Sequence, residues 1–140
     1  MTMTVHVDIV SAEKEIFSGL AEMVFAPAEL GEVGISPRHA PLITRLSPGE
    51  VRVKVSEKEH YPFYISGGIL EVQPHLVTVL ADTAIRAKDI DEAAAIAAKA
   101  EAEEALSDKS GNVDYATAQA QLLDAIMQLR TLDRYRKRGE

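Results

Sequence analysis

Leu76-Val77-Thr78-Val79-Leu80-Ala81-Asp82-Thr83-Ala84-Ile85-Arg86-Ala87-Lys88-Asp89-Ile90-Asp91-Glu92-Ala93-Ala94-Ala95-Ile96-Ala97-Ala98 changes its physical language part-way along. Its first five residues form a β-rich run, whereas everything after Arg86 is alanine-rich and free of proline. Residues 87–140 hold thirteen alanines, while all six prolines and six of the eight glycines lie in residues 1–86. The chain therefore divides into 1–86, built from short elements and turns, and 87–140, built from helices.

Upstream of the boundary, Val5, Val7 and Ile9 alternate with His6 and Asp8. Val51, Val53 and Val55 alternate with Arg52 and Lys54, and Phe63 and Ile65 alternate with Pro62 and Tyr64. Period two with one apolar face predicts half-buried strands. Ile69-Leu70-Glu71-Val72 and Leu76-Val77-Thr78-Val79-Leu80 flank Gln73-Pro74-His75, which predicts a hairpin. No helix-length segment separates these strands, so an antiparallel β-sandwich or flattened barrel is expected rather than a parallel sheet.

Downstream, Asp89 followed by Glu92 has the spacing of a capping box. It predicts a first helix from Asp89 to about Leu106, broken by Ser107-Asp108-Lys109-Ser110-Gly111-Asn112. Asp114 is placed to cap a second helix, whose Ala118, Leu122, Ala125, Leu129 and Leu132 recur in steps of four and three, a stripe suited to one partner helix. The whole is an α+β chain: an antiparallel β-sandwich followed by an antiparallel two-helix hairpin. The first helix offers mainly alanine for contact, and each leucine replaced by alanine forgoes roughly 2 kcal/mol of burial. Alanine also has the best helix propensity, so such helices survive loss of their contacts. An arm that undocks without melting fits this composition, and so does an ordinary static hairpin.

With 140 residues, 46% apolar and 26% charged, the chain has the size and make-up of one modest globular domain or two small ones. Its longest uncharged stretch, His60 to Leu70, is eleven residues broken by Pro62, Gly67 and Gly68, too short for a membrane span that needs about 20. The start, Met1-Thr2-Met3-Thr4-Val5-His6, lacks the features of a signal peptide, and there is no cysteine; a cytosolic address is expected. A net charge of −7 disfavours nucleic acid as a partner. The last eleven residues carry five cations, Arg130, Arg134, Arg136, Lys137 and Arg138, against Asp133 and Glu140. Such a basic end suits either a solvated helix terminus or an acidic partner.

No catalytic constellation is present. There is no phosphate-binding glycine loop, and Gly31-Glu32-Val33-Gly34 reads as a turn. His6, His39, His60 and His75 have no helical ligand spacing, so no metal site is expected. Ser66 lacks a nucleophile elbow, and Glu101, Glu103 and Glu104 read as a solvated helix face.

Several segments together resemble the epsilon chain of bacterial F-type ATP synthase. They are His6-x-Asp8-x-Val10-Ser11-Ala12-Glu13, Gly31-Glu32-Val33-Gly34-Ile35, Pro37-x-His39-Ala40-Pro41-Leu42, and Ser66 through Pro74. Val77 through Ala84 and Asp89-Ile90-Asp91-Glu92-Ala93 complete the match, in order and over almost the whole chain. The resemblance implies a non-catalytic subunit of the central stalk, at the cytoplasmic face of the bacterial inner membrane but not inserted in it. Its implied partners are the gamma chain and the c-ring, with the catalytic beta and alpha chains reached when the helical arm extends to restrain ATP hydrolysis. By resemblance, Glu32 and His39 face the c-ring, and Arg130, Arg134, Lys137 and Arg138, with Arg136 a further candidate, meet an acidic part of the catalytic head. Many relatives bind ATP through Ile/Leu-Asp-x-x-Arg-Ala at the start of the first C-terminal helix. This chain keeps Ile90 and Asp91 but has Ala94 in place of the arginine, so weak or absent ATP binding is expected and no cofactor is implied.

Overall fold

The structure, a computed structural model, describes residues 3–111 and 113–138. The chain separates into two compact units, Met1–Ala87 and Lys88–Glu140.

Among the described residues the first unit contains ten strands: β1 (Val5–Ser11), β2 (Glu15–Ala21), β3 (Met23–Ala28), β4 (Gly31–Ile35), β5 (Leu42–Leu46), β6 (Gly49–Lys54), β7 (His60–Ile65), β8 (Gly68–Gln73), β9 (Leu76–Ala81) and β10 (Ala84–Arg86). They pair in the order β10-β7-β6-β3-β5-β8-β9-β1-β2, with β4 on β3. The sheet curls until its two ends meet. Arg86 on β10 donates from Nη2 to the Ile16 carbonyl on β2 at 2.9 Å, and Phe17 of β2 stacks edge-on against Phe63 of β7, ring centres 5.7 Å apart. This is the sandwich or flattened barrel that the punctuation implied. All pairings are antiparallel except β1 with β9, which run parallel from His6↔Leu76 to Ser11↔Ala81.

The period-two positions fill the core. Val5, Val7, Ile9, Val51, Val53, Phe63, Ile65, Leu70, Val72, Val77 and Val79 are all buried in one cluster. The β8–β9 hairpin has its expected place, with Gln73 opposite Leu76 across Pro74 and His75. On β7 the expectation of one solvated face is incorrect, because Pro62 and Tyr64 are buried as well. β7 is paired along both edges, and Tyr64 lies between Glu50 of β6 and Ile85 of β10. Pro62 is tolerated there because it falls one residue beyond the β10 ladder, where a missing N–H leaves no gap. Pro27 lies on β3 where its ladder changes partner, from β6 at Phe25 to β5 at Ala28.

Gly31-Glu32-Val33-Gly34 is not a turn. The turn is Glu29-Leu30, and Gly31 at φ +136 opens β4, which pairs back on β3 with Ala28 facing Gly31, Pro27 facing Glu32 and Phe25 facing Gly34. Only Gly31 needs glycine's freedom for the reversal; the rest of the run is extended.

The second unit holds α1 (Glu92–Ser107) and α2 (Tyr115–Lys137), joined by the seven residues 108–114. The first cap differs from expectation. Residues 87–89 form a 3₁₀ turn and Ile90 is buried, so Asp91 caps α1, its Oδ1 accepting from the Ala94 N–H at 3.0 Å. Asp114 caps α2 as its position implied, accepting from the Thr117 N–H at 3.2 Å. Among the described residues no helix is long and apolar enough to cross a membrane.

Candidate functional site

In the first unit the expected ring-facing residues lie on β4 and on the loop that follows it. Glu32 is exposed and borders an open hollow of about 270 Å³, lined also by Ala28, Leu30, Gly31, Val33, Leu42 and Thr44. His39 is half-buried in the 36–41 loop. A reverse turn from the His39 N–H to Ser36 O holds that loop, as does a bond from the Arg38 N–H to Pro74 O at 2.8 Å, with Arg38 at φ +65. The His39 Nδ1 lies 2.7 Å from the Ala40 carbonyl, so this nitrogen carries the proton and Nε2 is left to other partners. Glu32 and Leu42 share the hollow, which puts Glu32 on the same patch as the strand that begins three residues after His39. Leu30 beside it is fully exposed, and Ile43 is 73% exposed on β5. A carboxylate with uncovered apolar side chains around it suits contact with another protein rather than chemistry.

One His/Asp/Ser group occurs on the sandwich. His6 Nε2 is 2.9 Å from Asp8 Oδ1 and 3.1 Å from Ser18 Oγ, and Ser18 donates to Asp8 at 2.7 Å. Both contacts use the same ring nitrogen, and the Ser18 proton is already committed to Asp8. No relay from serine through imidazole to carboxylate exists, and the group instead ties β1 to β2. Among the described residues no three His, Asp or Glu side chains gather as a metal site.

In the second unit the buried residues of the two helices are Ala95 and Ala102 on α1 and Ala118, Ala125, Thr131 and Leu132 on α2. Seven-residue spacing relates Ala95 to Ala102, and Ala118 to Ala125 and Leu132, the repeat of a two-helix seam. Thr131, absent from the expected stripe, satisfies its hydroxyl on the Met127 carbonyl at 2.9 Å. Leu122 and Leu129 are only partly buried. The hairpin is pinned at both ends. Near the loop Tyr115 OH donates to the Asp108 carbonyl, and at the far end Arg136 Nη2 meets Glu92 Oε2 at 2.7 Å. With those ends fixed, the antiparallel register brings Ala95 level with Leu132 and Ala102 level with Ala125.

Arg130, Arg134, Lys137 and Arg138 are all exposed at the end of α2. Arg130, Arg134 and Arg138 follow at steps of four and so share one side of the helix. Lys137 pairs with Asp133 at 3.0 Å within its own helix. Arg136, the further candidate, is set apart from these residues by its pairing. Its bond to Glu92 holds the Glu92 carboxyl below its ordinary range and raises the Arg136 guanidinium further. Residues 44 apart carry no local signal for such a pair, which depends on loop length and helix register. Of the expected nucleotide residues, Ile90 is buried, the Asp91 carboxylate caps α1, and Ala94 is exposed.

A family model described as the ATP synthase delta/epsilon chain beta-sandwich domain matches residues 4–87, and one described as its long alpha-helix domain matches residues 88–133. The ATP synthase epsilon chain of Nitrosococcus oceani is 68% identical over 138 residues, 99% of each chain. This chain belongs to the ATP synthase epsilon family. The epsilon chain 1 of Methylococcus capsulatus is 66% identical over 137 residues, 98% of each chain. The fold of this chain is shared with a chain in the Euglena gracilis mitochondrial ATP synthase, at TM-score 0.82 and 18% identity, covering 92% of this chain and 81% of that one. A chain in the central stalk and c-ring structure of the Tetrahymena thermophila mitochondrial ATP synthase aligns at TM-score 0.60 and 13% identity, covering 94% and 98%. As an epsilon chain, the protein is a non-catalytic subunit of ATP synthase.

Proposed function

We propose that this chain is a central-stalk subunit that couples the gamma chain to the c-ring and restrains ATP hydrolysis by extending its C-terminal helices toward the catalytic alpha and beta chains. It serves at the cytoplasmic face of the inner membrane as a peripheral member of the complex. Glu32 and His39 form the ring-facing end, and Arg130, Arg134, Lys137 and Arg138 form the part of the arm that meets the catalytic head.

The observation that carries this reading is the alanine seam. Four of the six buried residues of the two helices are alanine, each contributing about 0.8 kcal/mol, and Leu132 is the one large apolar side chain among them. A seam of this kind holds two helices in register without locking them together. Both helices keep their own caps, at Asp91 and Asp114, so each retains its end structure when the pair separates. Nucleotide has little part in the control: Asp91 is occupied as a cap and Ala94 supplies no charge to a phosphate.

Truncation after Lys88 tests the proposal. A complex reconstituted with residues 1–88 should hydrolyse ATP faster than one with the full chain. Equal rates would make the protein a static adaptor whose hairpin has no regulatory part.

A further inference from the structure

The basic end of α2 is not uniform. Lys137 is satisfied within its own helix by Asp133, whereas Arg136 reaches across the hairpin to Glu92, the first residue of α1. Glu92 sits at the N-terminus of one helix and Arg136 in the last turn of the other, so each suits the dipole of its own helix even without its partner. The pair is therefore exchangeable: replacing one carboxylate with another at the Arg136 guanidinium changes little else. Both side chains are about half exposed, which leaves the guanidinium open to approach from solvent.

The pair also lies at the mouth of the hairpin, at the opposite end of α1 from the 108–114 loop. Sixteen residues at 1.5 Å each put it about 24 Å from that hinge, where separation of the helices is greatest. Between the two lies the alanine seam, which resists opening only weakly. The mouth is thus the place where a small interaction has the most leverage on the closed state.

We infer that Glu92 is a built-in placeholder for the arm's acidic partner: it occupies Arg136 in the closed hairpin, and an acidic protein surface opens the arm by taking the place of Glu92. This rests on the reading above that the arm meets an acidic surface on the catalytic head. It adds Arg136 to that contact and gives the arm its latch. The lowered Glu92 carboxyl and the raised Arg136 guanidinium agree with a formed ion pair.

The chain has no cysteine, so labels can be attached at introduced positions without background. Spin labels at Ala98→Cys on α1 and Gln128→Cys on α2 of the full chain report opening as a long-distance population. Glu92→Gln should raise that population roughly two- to fivefold, as expected for loss of one exposed pair. Adding poly-glutamate should open the parent chain, and the charge exchange Glu92→Arg with Arg136→Glu should return the population toward the closed form of the parent. High salt should open the parent but not the Glu92→Gln chain, which keeps the test decisive if the exchanged chain folds poorly. Unchanged distances in Glu92→Gln and in parent chain at high salt would overturn the latch. In the assembled complex, Glu92→Gln should deepen inhibition of hydrolysis. Faster hydrolysis on truncation after Lys88 with unaltered distances in Glu92→Gln would sink the latch and leave the brake standing. Opened distances with hydrolysis indifferent to both changes would sink the brake and leave the latch.

Discussion

Replacing Gly68 by alanine should cost the sandwich far more than the same replacement at Gly31, although both glycines have strongly positive φ, +147 and +136. Backbone strain of about 1–3 kcal/mol is common to the two sites and cancels in the comparison. The surroundings differ. A methyl group at Gly31 meets nothing within 4 Å, whereas at Gly68 it falls 2.1 Å from the Leu80 carbonyl oxygen and 2.9 Å from Ala81 Cα. Those atoms are backbone in a ladder and cannot swing aside. Relief requires prising β8 from β9 at Gly68↔Ala81, and β8 is also held to β5 at Leu46↔Gly68. Breaking two or three ladder hydrogen bonds at about 1 kcal/mol each makes Gly68→Ala about 2–3 kcal/mol worse than Gly31→Ala. For a unit of this size the difference is roughly 10–20 °C in Tm. Thermal unfolding of the parent and the two variants, followed by near-UV circular dichroism, measures it. Midpoints within a few degrees of one another would refute the close-approach argument.

Charge reversal at the exposed Glu32 should leave the unfolding midpoint within a few degrees of the parent while weakening the coupling of proton flow to synthesis in membranes; equal coupling would remove Glu32 from the ring-facing end. Calorimetric titration with millimolar ATP should be flat for this chain and show heat for Ala94→Arg, and tight binding by the parent would mean that another group replaces the missing guanidinium. Alanine at Arg130, Arg134 and Arg138 together should relieve inhibition of hydrolysis, and raised salt should do the same to the parent and little more to the variant. Acid should loosen the hairpin. Glu92 is held low by Arg136, Asp108 by the Ser110 N–H and Asp114 by the Thr117 side chain. Carboxyls depressed in the folded state stabilise it above their ordinary range and lose that contribution as pH falls through the folded values, so helicity should hold to about pH 4 and decline below it. A decline on raising the pH through neutrality would contradict this.

The strands legible in the sequence are β1, β6 and β7, whose apolar residues alternate, and β8 and β9, whose β-rich runs flank Pro74. The strands that are not are β2 to β5 and β10, and three of them hide their period for a physical reason. On β3, Pro27 resembles a break but sits at a change of partner. On β4, two glycines suggest a turn although only Gly31 makes one. On β5, Ile43 is an apolar residue facing outward, which inverts the pattern. The parallel pairing of β1 with β9 has no local signature, because it is set by where the chain returns. At the start of α1 the capping-box spacing of Asp89 and Glu92 misleads, because residues 87–89 form a 3₁₀ turn, Ile90 is buried and Asp91 takes the cap. The basic stripe on α2 could be read from spacing alone. The Arg136–Glu92 pair could not, since it exists only once the loop has closed and the two helices have taken their register.

The parallel seam between β1 and β9 has a consequence for how the protein is made. Residues 5–11 leave the ribosome well before their partner on one side, residues 76–81, which is among the last of the sandwich to appear. Arg86, which joins the two ends of the sheet, comes later still. Until then the β1–β2 hairpin presents an open edge, and chains that lack only the end of the sandwich are the most exposed to wrong pairing. Contacts of such long sequence separation also slow folding, because the loop must close before the contact is gained. The alanine-rich helices need no distant partner to begin forming, so the segment made after the sandwich can acquire structure within microseconds, while β1 still waits for its neighbour.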